Sequence, residues 1–331
     1  MKQVLIIQTA SLGDVILSTA LAESLHQHSP DASIDYLIKK GYEGLFVGHP
    51  FIRKVLVLDK KEKKYRNLLR MALQIRKTHY DAVINIQRFF ATGFITAVSG
   101  SPVRSGFDKN PLSFTFTHKT EHKIGNQTGE HETERNHHLI DWLPDVKISR
   151  PVLYPAKTDF EKVLNWGKGK YITLSPASLW FTKQYPIHKW IEFTDKLPED
   201  ILVILLGAGN DKESCNQIVE KSRHSRIVSL AGDLGFLQSA AIMKGALMNY
   251  VNDSAPMHLA SAVNAPVTAV YCSTTPAFGF GPLSDDSAVV EAIPEPECKP
   301  CGLHGYRQCP EGHFKCAETI KTEQLLNRLG L

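Results

Sequence analysis

This chain opens with an unbroken apolar run that gives way to a glycine turn and then to apolar residues at helical spacing, and the same alternation recurs along its length. Val4 to Ile7 is the run, Thr9-Ala10-Ser11-Leu12-Gly13 the turn, and Ile16, Leu17, Ala20, Leu21 and Leu25 mark the helix that follows. Further β-type runs lie at 33–38, 54–58 and 82–86, with Leu68, Leu69, Ala72, Leu73 and Ile75 at helical spacing between the last two. Strands alternating with helices build a parallel sheet covered on both faces. From about Lys109 to Arg135 the rhythm breaks into Asn110-Pro111, scattered threonines and His118, His122, Lys123 and Gly125, which reads as a long functional loop. A second series starts after Pro151 and Pro155, with strands expected at 171–174, 201–206, 227–230, 247–251 and 267–271 and helices near 188–197, 211–222, 235–244 and 256–262. At roughly 150 residues per domain, the 331 residues divide into two α/β domains, 1–150 and 151–331, both Rossmann-like. Ligands in such sheets bind at the carboxyl ends of the strands, and the cleft between the domains is the natural place. The last helical stretch, 319–329, is a candidate to pack back on the first domain.

Composition narrows the class. Apolar residues at 43% and charged residues at 22%, with no low-complexity tract, exclude a disordered, collagen-like or disulfide-scaffold chain. A net charge of +4 is too mild to call for nucleic acid. No run approaches the ~18 apolar residues of a membrane span, and Val4 to Ile7 is too short for a signal peptide core, so the expected address is the cytoplasm.

Three loops carry candidate chemistry. Ser11-Leu12-Gly13-Asp14 joins the first strand to the first helix, where Asp14 is either a helix cap or a general base at the mouth of the sheet. This loop has neither the G-x-G-x-x-G fingerprint nor a G-x-x-x-x-G-K-[ST] phosphate loop, which argues against NAD or a nucleoside triphosphate there. The stretch from Ser175 through Ala177 and Ser178 to Lys183 and Pro186 follows a strand; its small residues admit a ligand to backbone amides and Lys183 can reach a phosphate. Asn252-Asp253-Ser254-Ala255-Pro256-Met257-His258 starts a helix whose N-terminus is a ready anion site, or else a capped helix with a packed histidine. A lysine loop and a helix N-terminus in one domain together suit a diphosphate.

On these residues, and on Leu230-Ala231-Gly232, Thr274-Thr275-Pro276 and Gly281-Pro282, the chain resembles the heptosyltransferases of glycosyltransferase family nine, nearly from end to end. The resemblance implies a GT-B fold, two facing Rossmann-like domains with the acceptor on the first and the nucleotide sugar on the second. It implies Asp14 as catalytic base and Lys183 as the group that neutralises the departing diphosphate. Asp253 and the amides from Ser254 to His258 then hold sugar and phosphate, and Gly207, Ala208, Leu230, Ala231 and Gly232 flank the nucleoside. Three positions depart from the family pattern: Ala255 for a glycine, Tyr185 for a tryptophan and Asn85 for an acidic residue. The implied reaction is an inverting, metal-independent transfer of a heptose from ADP-heptose to a lipopolysaccharide-type or related surface glycan. A nucleotide-sugar epimerase of the same fold and a non-catalytic nucleotide-sugar binding protein are the alternatives.

Other features are secondary. Ser11, Leu12, Gly13, Arg104, His118 and His122 are candidates for the acceptor side, where they would meet an anionic glycolipid. Cys298, Cys301, Cys309 and Cys316 place four thiols where they could surround a structural zinc or stay buried or loosely paired. His131, His137 and His138 lack such a pattern. The run from Lys60 through Lys64 and Arg66 to Arg70, Arg76 and Lys77 makes one helix face basic, either merely solvated or drawn to anionic headgroups at the inner membrane surface.

Overall fold

The structure, a computed structural model, describes residues 2–124 and 129–331. It divides into two units, Met1–Tyr154 and Pro155–Leu331. The first runs past residue 150 because the linker is tied to the first helix: Ser149 N donates to Ser24 Oγ, Val152 N to Thr19 Oγ1 and Tyr154 Oη to Glu23 Oε1.

In the first unit β1 (Gln3–Ile7), β2 (Ser33–Lys39), β3 (Ile52–Leu58), β4 (Ala82–Asn85), β5 (Val103–Phe107) and β6 (His118–Thr120) form one sheet in the order β3-β2-β1-β4-β5-β6. Every pairing is parallel. The helices are α1 (Leu12–His28), α2 (Lys64–Thr78), α3 (Phe90–Val98) and α4 (Glu132–His137). The expected excursion at 109–135 thus contains a sixth strand and the start of α4; Gly125, part of that expectation, falls outside the described residues. Helix α1 is buried almost continuously from Val15 to Leu25, and its Ser18, Thr19 and Ser24 return their hydroxyls to carbonyls of the preceding turn. An all-round buried helix needs such internal satisfaction of its polar groups. In α2 only one face is inward: Met71, Ala72 and Ile75 join the core beneath β1 and β4, whereas Leu69 and Leu73 are more than half exposed.

The second unit repeats the plan. Strands β7 (Tyr171–Ser175), β8 (Leu202–Leu205), β9 (Ile227–Ser229), β10 (Asn249–Asn252), β11 (Val267–Val270) and β12 (Ser287–Val290) lie in the order β12-β11-β10-β7-β8-β9, all parallel. Around them run α5 (Lys157–Val163), α6 (Ile187–Asp195), α7 (Lys212–Lys221), α8 (Phe236–Gly245), α9 (Ala255–Ala262), α10 (Lys315–Glu318) and α11 (Thr322–Leu326). The core centres on Trp190, Tyr185, Phe193 and Tyr250. The C-terminal segment contributes to the core of its own unit. Ile320, Leu325 and Leu326 sit in this same core, and Tyr250 Oη donates to Leu325 O at 2.9 Å.

Trp190 is fully buried and meets Tyr185 edge-on, with ring centroids 4.9 Å apart. Trp190→Ala is expected to destabilise the protein by about 3–5 kcal/mol in chemical denaturation. A loss below about 1 kcal/mol would mean that the surrounding rings close over the cavity.

Candidate functional site: the two switch points

Both sheets reverse their winding beside their first strand, between β1 and β4 in the first unit and between β7 and β10 in the second. Loops leaving neighbouring strands at such a point diverge and open a crevice at the carboxyl ends, where ligands bind in doubly wound sheets.

At the β7/β10 point two loops meet through one ion pair. Lys183 closes a short 3₁₀ turn after β7, Asp253 follows β10, and Lys183 Nζ lies 2.6 Å from Asp253 Oδ2 with the side chains 15% and 8% exposed. Thr274 Oγ1 donates to the same carboxylate oxygen at 2.5 Å. Asn252 fixes the loop geometry: its amide donates to Pro176 O at 2.7 Å and its carbonyl accepts from Tyr185 N at 3.0 Å. Gln184 Nε2 closes the turn onto Ser178 O at 2.7 Å. Ala177 is half-buried, and the buried Ser175 Oγ finds no partner among the described residues.

Helix α9 then starts at Ala255 and Pro256 with Ser254 as N-cap, yet the Ser254 hydroxyl donates back to Asn252 O at 3.3 Å and makes no cap. The helix therefore keeps the positive end of its dipole free of a side-chain cap, although Pro256 has no N–H and Met257 N donates to Ser254 O at 3.0 Å. Met257 and His258 are buried in that turn and support it from behind. Gly207, Ala208, Leu230, Ala231 and Gly232 are also brought together, at the ends of β8 and β9. Gly232 has φ +75°, its N–H donates to Gly207 O at 2.8 Å, and a Cβ there would stand 2.8 Å from Gly209 Cα. Only glycine lets the two turns touch this closely.

At the β1/β4 point Asp14 occupies the third position of α1. Its Oδ2 accepts from Ser11 N at 3.0 Å and from Ser11 Oγ at 2.6 Å, a capping box that fixes the carboxylate and leaves Oδ1 without a protein partner among the described residues. Gly13 is buried behind it and Leu12 is half-buried. Gln8 and Gln87 bond side chain to side chain across the two strand ends, and Lys60 Nζ donates to Thr9 O at 2.8 Å.

Residues 68–311 match glycosyltransferase family 9 (heptosyltransferase). The chain belongs to that family. Among curated relatives, lipopolysaccharide heptosyltransferase 1 of Campylobacter coli is 26% identical over 290 residues, covering 82% of this chain and 84% of that one. Among solved structures, the Escherichia coli ADP-heptose lps heptosyltransferase II superposes with a TM-score of 0.82 at 21% identity, over 100% of this chain and 98% of that one. The family 9 glycosyltransferase of Veillonella parvula DSM 2008 gives 0.84 at 22%, over 99% and 96%. The family 9 chain is thus a glycosyltransferase of the GT-B fold, and its two sheets are the Rossmann-like halves of that fold.

Of the residues expected on the acceptor side of this family 9 enzyme, Ser11, Leu12 and Gly13 lie together where β1 leads into α1, while Arg104, His118 and His122 do not share one place. Arg104 lies near the amino end of β5, away from the carboxyl edge, and spends its guanidinium on Ser101 O at 2.6 Å and Thr115 O at 3.0 Å. His118 opens β6, bonded to Thr117 Oγ1 and tilted against the Trp142 ring. Of these three, only His122 stands beyond the carboxyl edge, buried and edge-on to Phe107 at 4.5 Å. Burial pulls its imidazole down to about 4, and the charges of Arg88 and Arg135 add to that.

Sequence reading missed several groups. Thr274 lies on a motif it noted, but without a role. Asn252 looks like an ordinary loop asparagine. Arg88 and the buried Glu132–Arg135 pair, 2.8 Å apart on α4, gather near Asp14 only through the fold, where burial, against the pull of Arg135 and with help from the Asp14 charge, pushes the Glu132 carboxyl up to about 7. The i, i+3 spacing of Glu132 and Arg135 was the one available signal. The four C-terminal cysteines share one hollow, while no three Cys, His, Asp or Glu among the described residues are grouped to hold a single metal ion.

His122 makes a prediction. With its folded value near 4 against an ordinary 6.5, the unfolded chain takes up a proton first as pH falls, so the stability it contributes is complete above 6.5 and is lost toward 4. His122→Phe should flatten the stability curve across that window, read by denaturation at several pH values. An unchanged slope would show that His122 titrates normally.

Proposed function

We propose that this glycosyltransferase transfers a heptose from ADP-heptose to a lipopolysaccharide-core acceptor by direct displacement with inversion and without a metal ion. The observation that carries the reading is the Lys183–Asp253–Thr274 cluster beside the uncapped start of α9. It supplies a cation and a helix dipole to one anion and leaves an acidic group to engage sugar hydroxyls. The names of relatives support the sugar and acceptor: lipopolysaccharide heptosyltransferase in Campylobacter coli and ADP-heptose lps heptosyltransferase in Escherichia coli.

In the proposed step the acceptor hydroxyl oxygen forms a bond to the anomeric carbon from the face opposite the leaving group. Its proton passes to Asp14 Oδ1, the oxygen the capping box leaves unpartnered. The bond from the anomeric carbon to the diphosphate breaks, and its electron pair remains on the phosphate oxygen. Lys183, paired with Asp253 in the structure, turns to that developing charge. Charge stabilisation by lysine and helix dipole takes the part that a divalent ion plays in other diphosphate chemistry.

Asp14→Asn is expected to lower kcat by about 10²–10⁴-fold while ADP still raises the melting temperature. Lys183→Ala should lower kcat and weaken ADP as well. An Asp14→Asn enzyme with near-normal turnover removes the base, and a chain stabilised by UDP or GDP in preference to ADP removes the donor assignment.

Membrane contact belongs to the same proposal. Among the described residues no helix is long and apolar enough to cross a bilayer. On α2, however, Tyr65, Leu69 and Leu73 form an i, i+4, i+8 stripe that is 80%, 54% and 52% exposed, flanked by exposed Lys64, Arg66, Arg70 and Lys77. An apolar stripe within a basic border suits the surface of an anionic leaflet, where a lipid-borne acceptor resides. The protein should float with vesicles containing anionic phospholipid and not with neutral ones, and Leu69→Ser/Leu73→Ser should abolish flotation. Equal behaviour with both vesicle types would remove the docking face.

A further inference from the structure

Residues 291–314, between β12 and α10, contain neither helix nor strand. Loops beyond about 12–15 residues without secondary structure are uncommon in compact domains and call for a restraint or a task. Ala292 joins the core and Phe314 packs on it, while Ile293, Leu303 and Tyr306 are exposed. Lys299 Nζ donates to Tyr271 O at 3.4 Å and Gln324 Nε2 to Glu291 O at 3.1 Å, and further anchors run to the Lys183 turn and its neighbour. Cys301 N donates to Ser273 O at 2.7 Å, Tyr306 N to Thr182 Oγ1 at 2.7 Å and Thr182 N to Tyr306 O at 3.1 Å. Gly305 lies so close that a Cβ would stand 3.1 Å from Lys183 Cγ.

Within this loop and the first turn of α10, Cys298, Cys301, Cys309 and Cys316 line a single hollow of about 160 Å³, walled by Pro300 and Phe314. All four are free thiols. A single tetrahedral ion, with metal–sulfur bonds of about 2.3 Å, would draw four sulfurs within roughly 4 Å of one another. No three thiols among the described residues are gathered so. They surround a space instead of converging on a point. A cubane of four irons and four sulfides fills such a space and takes one cysteine at each iron corner.

We propose that Cys298, Cys301, Cys309 and Cys316 bind a four-iron, four-sulfide cluster that pins the 298–316 loop against the Lys183 turn. Loading from a preformed cluster is ligand exchange: each cysteine sulfur forms a bond to one iron as a small thiolate leaves, and the cysteine proton passes to that thiolate. No electron moves. The site uses none of the groups assigned to the transfer reaction, so its test is separate from theirs.

The full chain, prepared without oxygen, is incubated with a synthetic four-iron, four-sulfide cluster carrying 2-mercaptoethanol ligands, desalted, and analysed for iron and acid-labile sulfide. A parallel sample receives zinc alone. The expected result is about four irons and about four sulfides per chain with broad visible absorbance, lost in Cys301→Ser and Cys309→Ser variants that keep the wild-type circular dichroism. Loading should also slow proteolysis within 302–312 by roughly tenfold or more. One zinc or iron per chain without sulfide, no retained metal, or a cluster kept equally by the serine variants would each overturn the proposal.

Discussion

The donor-side geometry depends on the side chain of Asn252. It stands at the end of β10 and reaches across to the β7 loop, giving two protons' worth of geometry with one amide: a donor to Pro176 O and an acceptor for Tyr185 N. Those bonds bracket the loop at both ends, so Lys183, two residues before Tyr185, has little choice of position. Asp253 is the next residue along the β10 chain, and the 2.6 Å contact between them follows from the bracket. Because Asn252 is fully buried, its bonds are made away from competing water, where a lost partner leaves an unsatisfied polar group.

What the sequence disclosed was whatever burial writes into local spacing. Val4 to Ile7 and Ala82 to Ile84 are fully buried and are therefore uninterrupted apolar runs, easily read. β5 reads Val-Arg-Ser-Gly-Phe, with Ser105 bonded to Leu139 O and Gly106 lying under the Phe116 ring, so its membership of the sheet is decided by distant residues. β6 and β12 are short edge strands with a partner on one side only, and a three- or four-residue strand carries almost no periodicity. In α2 the apolar residues at 68, 69, 72, 73 and 75 all stand at helical spacing. Leu69 and Leu73 face outward, a distinction that spacing alone does not make when apolar residues cover most of a helix.

The candidate site followed the same rule. Asp14, Lys183 and Asp253 were legible because each closely follows a strand, and the switch point of a doubly wound sheet turns that sequence position into a place in space. Arg104 and His118 looked equally suited to an anionic acceptor by residue type. They lie at the amino ends of β5 and β6, the wrong edge of the sheet, and Arg104 is occupied with holding its own loop. Charge type says which ligands a residue could meet, and strand polarity decides whether it can meet them.

At Asp14 the helix cap and the proposed base are compatible in one side chain. A helix start needs an acceptor in its first turn, and a capping box satisfies that need with one carboxylate oxygen, Oδ2, while immobilising the whole group. The second oxygen is then held at a fixed place at the sheet edge, which is what a general base requires before any question of proton affinity arises. Replacing Asp14 by asparagine keeps an oxygen for the box and removes the anion. The helix should therefore persist while proton uptake fails, and this separates the two roles of one side chain.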